Sequence, residues 1–455
     1  MPLILASNSA SGGYNVANSL RYNSASSDNL SRTPGSAGNR RTYTISYWLK
    51  RSKITYNYDM NIGTSYSAGA GNSFQILFDN TDKLNIQAGD GSWQLISTQL
   101  FRDVSAWYHI VVAIDTTQAT SSNRIKMYVN GSQVTSFSTA TYMSQNLDTA
   151  WNNTIAHYIG DFNNAYSMNG YMAEVYNIDG QQLTPSSFGQ TDPSVPSSGI
   201  WQPKAYTGSF GTNGFYLKFA NSAALGTDSS GNGNTFTVNN LTSVDQSTDT
   251  PTNNFATFNS IKFSGGDLTQ GNLELDSTSA GWKTRNSTIG VTTGKWFMEF
   301  KMGSISTDES GVCIVPDTVP DGNFPASDAT RSPAISYNSD GRKLVNAVST
   351  SAYFSTMSTN DIIGIALDMT GGTVQFYRNG STTGSPINLS DAFTSSNYPL
   401  FFVAAVFNTR DVQANFGSPP YAGGGYTDAA GFGNFSYAVP AGYYSLCTKN
   451  LANFG

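Results

Sequence analysis

The sequence predicts an all-β protein: two tandem antiparallel β-sandwiches of jelly-roll type joined by an ordered connector. Three observations carry that expectation. Charged residues are only 12% of the 455 while aromatics reach 13% and glycines number 44, a balance that suits many short strands joined by polar turns and leaves little for long helices. Apolar residues recur with a period of two in short runs bounded by Gly, Asn or Asp. A unit of two such runs and two turns occurs twice, and the chain is longer than one hydrophobic core usually supports.

The unit is clearest at 361–381. Ile363, Ile365 and Leu367 alternate with Gly364, Ala366 and Asp368, and Val374 and Phe376 with Gln375 and Tyr377, so each strand packs one face. Gly371-Gly372 reverses the chain between them. Asn379-Gly380 makes the next reversal, because both residues tolerate the positive φ of a type I′ hairpin. A shorter copy lies at 109–132, where Asp115 corresponds to Asp368 and Asn130-Gly131 to Asn379-Gly380. An aromatic strand precedes each copy, TISYWLKRS from Thr44 and WFMEFKMGS from Trp296. Trp48 to Asn130 spans 82 positions and Phe300 to Asn379 spans 79, which predicts two similar domains in tandem.

In chain order, residues 1 to about 40 form an opening strand and loop that lead into TYTISYWLK. FQILFDN from Phe74, KLNIQAG from Lys83 and WQLISTQL from Trp93 are short alternating strands. Ile125, Met127 and Val129 face one way, and Arg124, Lys126 and Tyr128 the other. The first domain is expected over 1–192. Residues 193–260 read as a connector in which Pro-rich stretches bracket the strand FYLKFA and the loop GTDSSGNGNTF. The second domain is expected over 261–455. There Trp296, Met298, Phe300 and Met302 alternate with Phe297, Glu299 and Lys301, and LFFVAAVF from Leu400 suits a strand buried on both faces.

TISYWLK at Thr44, WYHIVVAID at Trp107, RIKMYVNGSQV at Arg124 and the closing MNGYMAEVYNIDGQQLTPSSFG together resemble the LamG-like branch of the concanavalin A-like sandwiches, over roughly 15–192. GKWFMEFK at Gly294, ISYNSDGRK at Ile335, NDIIGIALDMTGGTVQFYRNG at Asn360 and VQANFGSPPY at Val412 resemble a SPRY domain. The second set is the more specific. The two sandwiches, the connector and the tail GNFSYAVPAGYYSLCTKNL together resemble virion proteins of marine bacteriophages, especially tail fibres and related adhesion proteins. That resemblance implies a non-enzymatic virion protein, assembled in the host cytoplasm, that recognises a host-surface glycan or protein receptor. It implies other virion proteins as partners and a homo-oligomer, with a trimer as one form. The alternative of another class is an architectural head-decoration or capsid-fibre protein without receptor binding. A polysaccharide depolymerase is the third reading.

Composition narrows the partners. A net charge of −6 argues against nucleic acid, which needs a clustered positive surface. No stretch approaches the ~20 apolar residues of a membrane helix, and the N-terminal MPLILASNSASGGYN has no basic stretch, so no secretory signal is expected. Cys313, in the apolar run GVCIVP, reads as a buried free thiol, with a bridge to Cys447 as the alternative.

For catalysis, Glu274-Leu275-Asp276 begins a Glu-x-Asp-x-x-Glu glycosidase pattern, but the third acid is replaced by Ser279. The histidines His109 and His157 neighbour no activated nucleophile. No catalytic residue and no cofactor is expected. Calcium is the one metal considered: Asp228, Ser230, Asn232 and Asn234 stand at alternate positions and can turn oxygens toward one centre. The terminal bidentate glutamate is missing, and an ordinary tight turn has the same sequence. For sugar stacking, Tyr56, Tyr58, Tyr66, Trp93 and Trp151 in the first domain and Trp282, Tyr337 and Tyr353 in the second fall in or near polar loops, where an exposed ring can cover a sugar face. Half-buried packing is the competing reading for each. Trp48 and Trp296 are expected in the core.

Overall fold

Alternation along Thr42–Arg51 decides how the first domain is built. Tyr43, Ile45, Tyr47 and Leu49 enter the main hydrophobic core, which turns Ser46, Trp48 and Lys50 to the outer face of the sheet. The computed structural model describes residues 13–55, 59–64, 73–161, 166–192, 199–262, 266–277, 280–305, 310–319, 333–394 and 398–455. The described residues up to Thr252 form one compact unit, and those from Asn253 a second.

In the first unit one sheet runs Ser132–Gln133, Ile125–Val129, Trp107–Asp115, Thr42–Arg51, Gly170–Asp179, Ser19–Tyr22, Gln246–Ser247, with Phe215–Leu217 also paired to Gly170–Asp179. The facing sheet runs Phe137–Thr141, Gln94–Leu100, Lys83–Ala88, Phe74–Phe78, Asp59–Thr64, His157–Ile159, Asn29–Arg32, Thr237–Asn239. Every described pairing is antiparallel. Ile110, Val112 and Ile114 meet Ile125, Met127 and Val129 in the core between the sheets, as their period-2 spacing requires.

The stretch expected as a connector divides. Up to Thr252 it is part of the first unit: Phe215–Leu217, Thr237–Asn239 and Gln246–Ser247 join its two sheets. Its physical reason for docking is the outer face of Thr42–Arg51, which is too apolar and too charged to leave in place uncovered. Trp48 packs there with Val16 and Ala173 under Trp107 and Trp201. Lys50 meets Asp249 at 2.7 Å with both side chains almost fully buried, and Arg21 meets Asp245 at 3.1 Å. Such charges are tolerated away from water only because each finds its partner.

The second unit repeats the arrangement. Its larger sheet runs Asp267–Thr269, Glu274–Asp276, Asp411–Asn415, Lys295–Met302, Ile362–Asp368, Thr373–Arg378, Ser381–Asn388. The other runs Trp282–Asn286, Leu400–Phe407, Ser310–Pro316, Ile335–Asn338, Lys343–Val345, Val348–Thr350. Trp296, Met298, Phe300 and Met302 face Ile363, Ile365, Leu367, Val374 and Phe376 in the core. The run from Leu400 is covered on both faces: Leu400, Phe402, Ala404 and Val406 enter the main core, while Val403 and Ala405 pack with Cys313 and Val315. Cys313 and Cys447 are both buried and free, so the bridge alternative is not what forms.

The duplicated hairpin is the same device in both units. Asn130 has φ +47° and Asn379 φ +50°. Asn130 Oδ1 accepts the His109 N–H at 2.8 Å, and Asn379 Oδ1 accepts the Ile362 N–H at 2.8 Å. His109 lies opposite Trp48, and Ile362 opposite Lys301, so the structural counterpart of Trp48 is Lys301, one residue beyond the Phe300 that spacing suggests. Asp115 accepts from Thr117 N–H, Thr117 Oγ1 and Gln118 Nε2; Asp368 accepts from Gly371 N–H and pairs with Lys295 at 2.9 Å. Both aspartates close turns. Among the described residues no helix is long and apolar enough to cross a membrane.

Candidate functional site

Among the described residues, the aromatic candidates form no exposed cluster. Trp93 and Trp151 lie in the core, tilted against Phe74 at 5.8 and 5.7 Å, and the Trp151 indole N–H donates to Asn177 Oδ1 at 3.0 Å. Tyr337 is fully buried and donates to the Ser355 carbonyl. These three offer no ring face to a ligand, because burying a large aromatic in the core outweighs what a polar loop suggests. Trp282 is half-buried against Phe407 at 5.3 Å. Tyr353 is half-buried, with Lys343 Nζ 3.9 Å from its ring centroid and its hydroxyl donating to Ser385 O at 3.2 Å. Tyr56, Tyr58 and Tyr66 lie outside the described residues.

The Asp228 loop spends its oxygens internally. Asp228 Oδ1 accepts the N–H groups of Tyr216 and Ser230 at 3.0 and 2.8 Å, and Oδ2 accepts Ser230 Oγ and Asn234 N–H, both at 2.8 Å. Asn232 and Asn234 donate their amides to the carbonyls of Gly211, Thr212 and Gly214. Asn234 Oδ1 accepts from Arg32. That is the hydrogen-bonded turn, and among the described residues no group of three His, Cys, Asp or Glu side chains is placed to hold a metal.

The residues screened for chemistry are similarly occupied. Glu274 accepts from Thr269 Oγ1 at 2.7 Å and Gln413 Nε2 at 3.0 Å, side chains of the strands on either side of its own. Burial, followed by the neighbouring Asp411 and Asp267, raises the Asp276 carboxyl above its usual range. Ser279 is outside the described residues. His157 donates Nδ1–H to Ile155 O at 2.7 Å and accepts Asn152 N–H at Nε2 at 3.0 Å.

What geometry does assemble is a recess on the outer face of the larger second-unit sheet. Glu299, Gly364 and Tyr377 stand side by side on three adjacent strands. Gly364 contributes no side chain, which leaves a gap between a carboxylate and an aromatic ring. Phe297 and Ile362 flank the gap, and Tyr437 closes its far side. Tyr437 reaches that position because Gly380 has φ +78° and no side chain; a Cβ there would fall 2.7 Å from the Tyr437 ring. Glu299 is 1% exposed. Its oxygens accept Asn415 Nδ2 at 3.0 Å, Ser436 N–H at 2.8 Å and Tyr437 N–H at 3.1 Å, while burial raises the carboxyl above its usual range. Of these residues Glu299, Gly364 and Tyr377 were legible only as outward-facing. Their juxtaposition depends on strand register, and Tyr437 on a tail about sixty residues away in sequence. The available signal was the pair of misfits, a glutamate in WFMEFKM and a glycine in DIIGIALD.

Comparison with known families agrees with the two sandwiches. Residues 24–186 match the laminin-G-type model of the concanavalin A-like lectin/glucanases superfamily, and residues 295–419 match the SPRY domain model. The chain therefore carries a LamG-like, concanavalin A-like domain and a SPRY domain. No curated protein matches it. Among solved structures, the SPRY domain of human HERC1 is 21% identical with a TM-score of 0.29, covering 34% of this chain and 96% of that one. The TRIM65 PSpry domain is 14% identical with a TM-score of 0.28, covering 35% and 88%.

Proposed function

We propose that this is a non-enzymatic bacteriophage virion protein, a tail fibre or similar appendage, that displays its two sandwich domains to bind the host surface, with a glycan as ligand. The observation that carries the binding role is the pairing of a concanavalin A-like lectin-type domain with a SPRY domain in one chain. The recess between Tyr377 and Tyr437 supplies a place where a small polar group can be held between aromatic walls. Single sugar sites are weak, so useful adhesion comes from several copies on one particle, as homo-oligomers among other virion proteins. The test is retention of purified protein on host cells and envelope polysaccharide, together with adsorption of virions that lack it. If the protein is not retained and the virions adsorb normally, the receptor-binding reading fails.

One observation favours a second reading. Trp93, Trp151 and Tyr337 are packed inside, as in a sandwich that serves as a spacer or docking module. An architectural head-decoration or capsid-fibre protein would show labelled copies around the capsid shell, whereas a receptor-binding appendage would show them at the tail.

A further inference from the structure

We propose that the Glu299 recess is a binding site for the protonated primary amine of an amino sugar. The site stands on geometry; the choice of a sugar as carrier rests on the host-surface reading above.

The argument begins with charge. A buried carboxylate is costly unless it is paired or coordinated. Glu299 has three amide N–H partners, from Asn415, Ser436 and Tyr437, and among the described residues no cation pairs with it. The nearest candidate along the strand, Lys301, faces the same way but lies over the Tyr421 ring at 5.2 Å. Glu174, likewise buried, also has three neutral donors, the hydroxyls of Tyr14, Tyr176 and Tyr216 at 2.9, 2.6 and 2.7 Å, but there the tyrosines close over the carboxylate. Glu299 instead lines the recess, although only 1% exposed.

Shape selects the ligand. The recess, together with the open solvent at its mouth, spans about 210 Å³, and its depth has room for one water-sized group. An ammonium fits that depth, whereas a quaternary ammonium is too large. A neutral hydroxyl would supply a donor without compensating the charge, and an anion would be repelled. Tyr377 and Tyr437 line two sides of the recess, and an aromatic lining favours a cation over an anion. With the amine carried directly on a pyranose ring, the sugar lies across the mouth against Tyr377 and Tyr437. Gly364 keeps the floor low: a Cβ there would crowd Phe297 Cζ at 3.0 Å and Tyr377 Cβ at 3.2 Å, so the amine sits above the glycine and not in its side-chain position.

The test uses the full chain and calorimetric titration with a glucosamine oligomer, the N-acetylglucosamine oligomer of equal length, and N-acetyl-lysine amide. The expected result is binding of the free-amine oligomer, at least tenfold weaker binding of the acetylated one and of the lysine derivative, and at least tenfold loss on Glu299→Gln. Gly364→Ala, which fills the floor and leaves the carboxylate in place, should also weaken binding while the melting curve shows the variant folded. Equal binding of acetylated and free oligomers, tighter binding of the lysine derivative, no binding of the free amine, or no effect of both variants would each overturn the proposal. Retention of the protein on host cells without amino-sugar binding would sink this inference and leave the host-surface reading standing.

Discussion

The Trp201 indole N–H donates to Nδ1 of His109 at 2.9 Å. Because that nitrogen accepts, the imidazole proton sits on Nε2, where it donates to Ser46 Oγ at 2.8 Å. Trp48 stacks on the ring from the sheet side at 4.8 Å. His109 is thus a neutral structural group that fastens residues around 201 to the first sandwich, and burial pushes its pKa down to about 3.

Acid should therefore weaken the first domain through this residue. In the unfolded chain His109 titrates near 6.5, so between that value and about 3 the unfolded state binds more protons than the native one, and stability falls as pH falls. From pH 7 to pH 5 the contribution of His109 is a loss of about 2 kcal/mol. Urea denaturation of wild type and His109→Gln at both pH values isolates it, since the other titrating groups cancel. The variant should lose less stability on acidification. His157, pushed down to about 4 by burial, acts in the same direction.

Removing one partner of the Lys50–Asp249 pair should cost more than removing both. Asp249→Ala leaves Lys50 buried beside the Trp107 indole, whose N–H also donates to Asp249 at 3.1 Å, and should destabilise the domain by about 3–5 kcal/mol. The double variant Lys50→Met, Asp249→Leu should recover most of it. Denaturant midpoints of the three proteins make the comparison.

The two Asn-Gly hairpins should respond alike. Asn130→Ala and Asn379→Ala each lose an acceptor for a buried strand N–H and place alanine at positive φ, a combined cost of about 2 kcal/mol. Replacement by glycine should cost less, because the backbone strain is absent. Thermal melts of the four variants check the equivalence of the two units.

The thiols should be inert until unfolding. Burial raises Cys313 well above the usual thiol range and Cys447 to about 11, so little thiolate is present at neutral pH. An aromatic disulfide reagent should find no thiol in the native protein and two in denaturant.

How much was legible in the sequence varies with the range of the interaction. Inward and outward residues of the central strands follow from period two, and Ile363, Ile365 and Leu367 lie where that period puts them. Lys50 and Trp48 were legible as a charge and an aromatic on one strand, but their cover comes from Asp249 and Trp201, some 150 to 200 residues away, and periodicity describes only neighbours. Trp93 and Trp151 misled because a polar loop can still direct one large side chain inward. The recess was legible only as two misfits, Glu299 and Gly364, because it depends on the absence of a side chain at Gly364, given meaning by Glu299 and Tyr377 in the strands beside it.

The most direct measurement of the central claim is retention of the full-length protein on a panel of bacterial surface polysaccharides, with reducing ends assayed in the same samples. The account predicts that at least one polysaccharide retains the protein, that the Tyr377→Ala, Tyr437→Ala double variant is retained at least tenfold less while still folded, and that no reducing ends appear. Retention by none of them and by no host cell, or release of reducing ends, would contradict it.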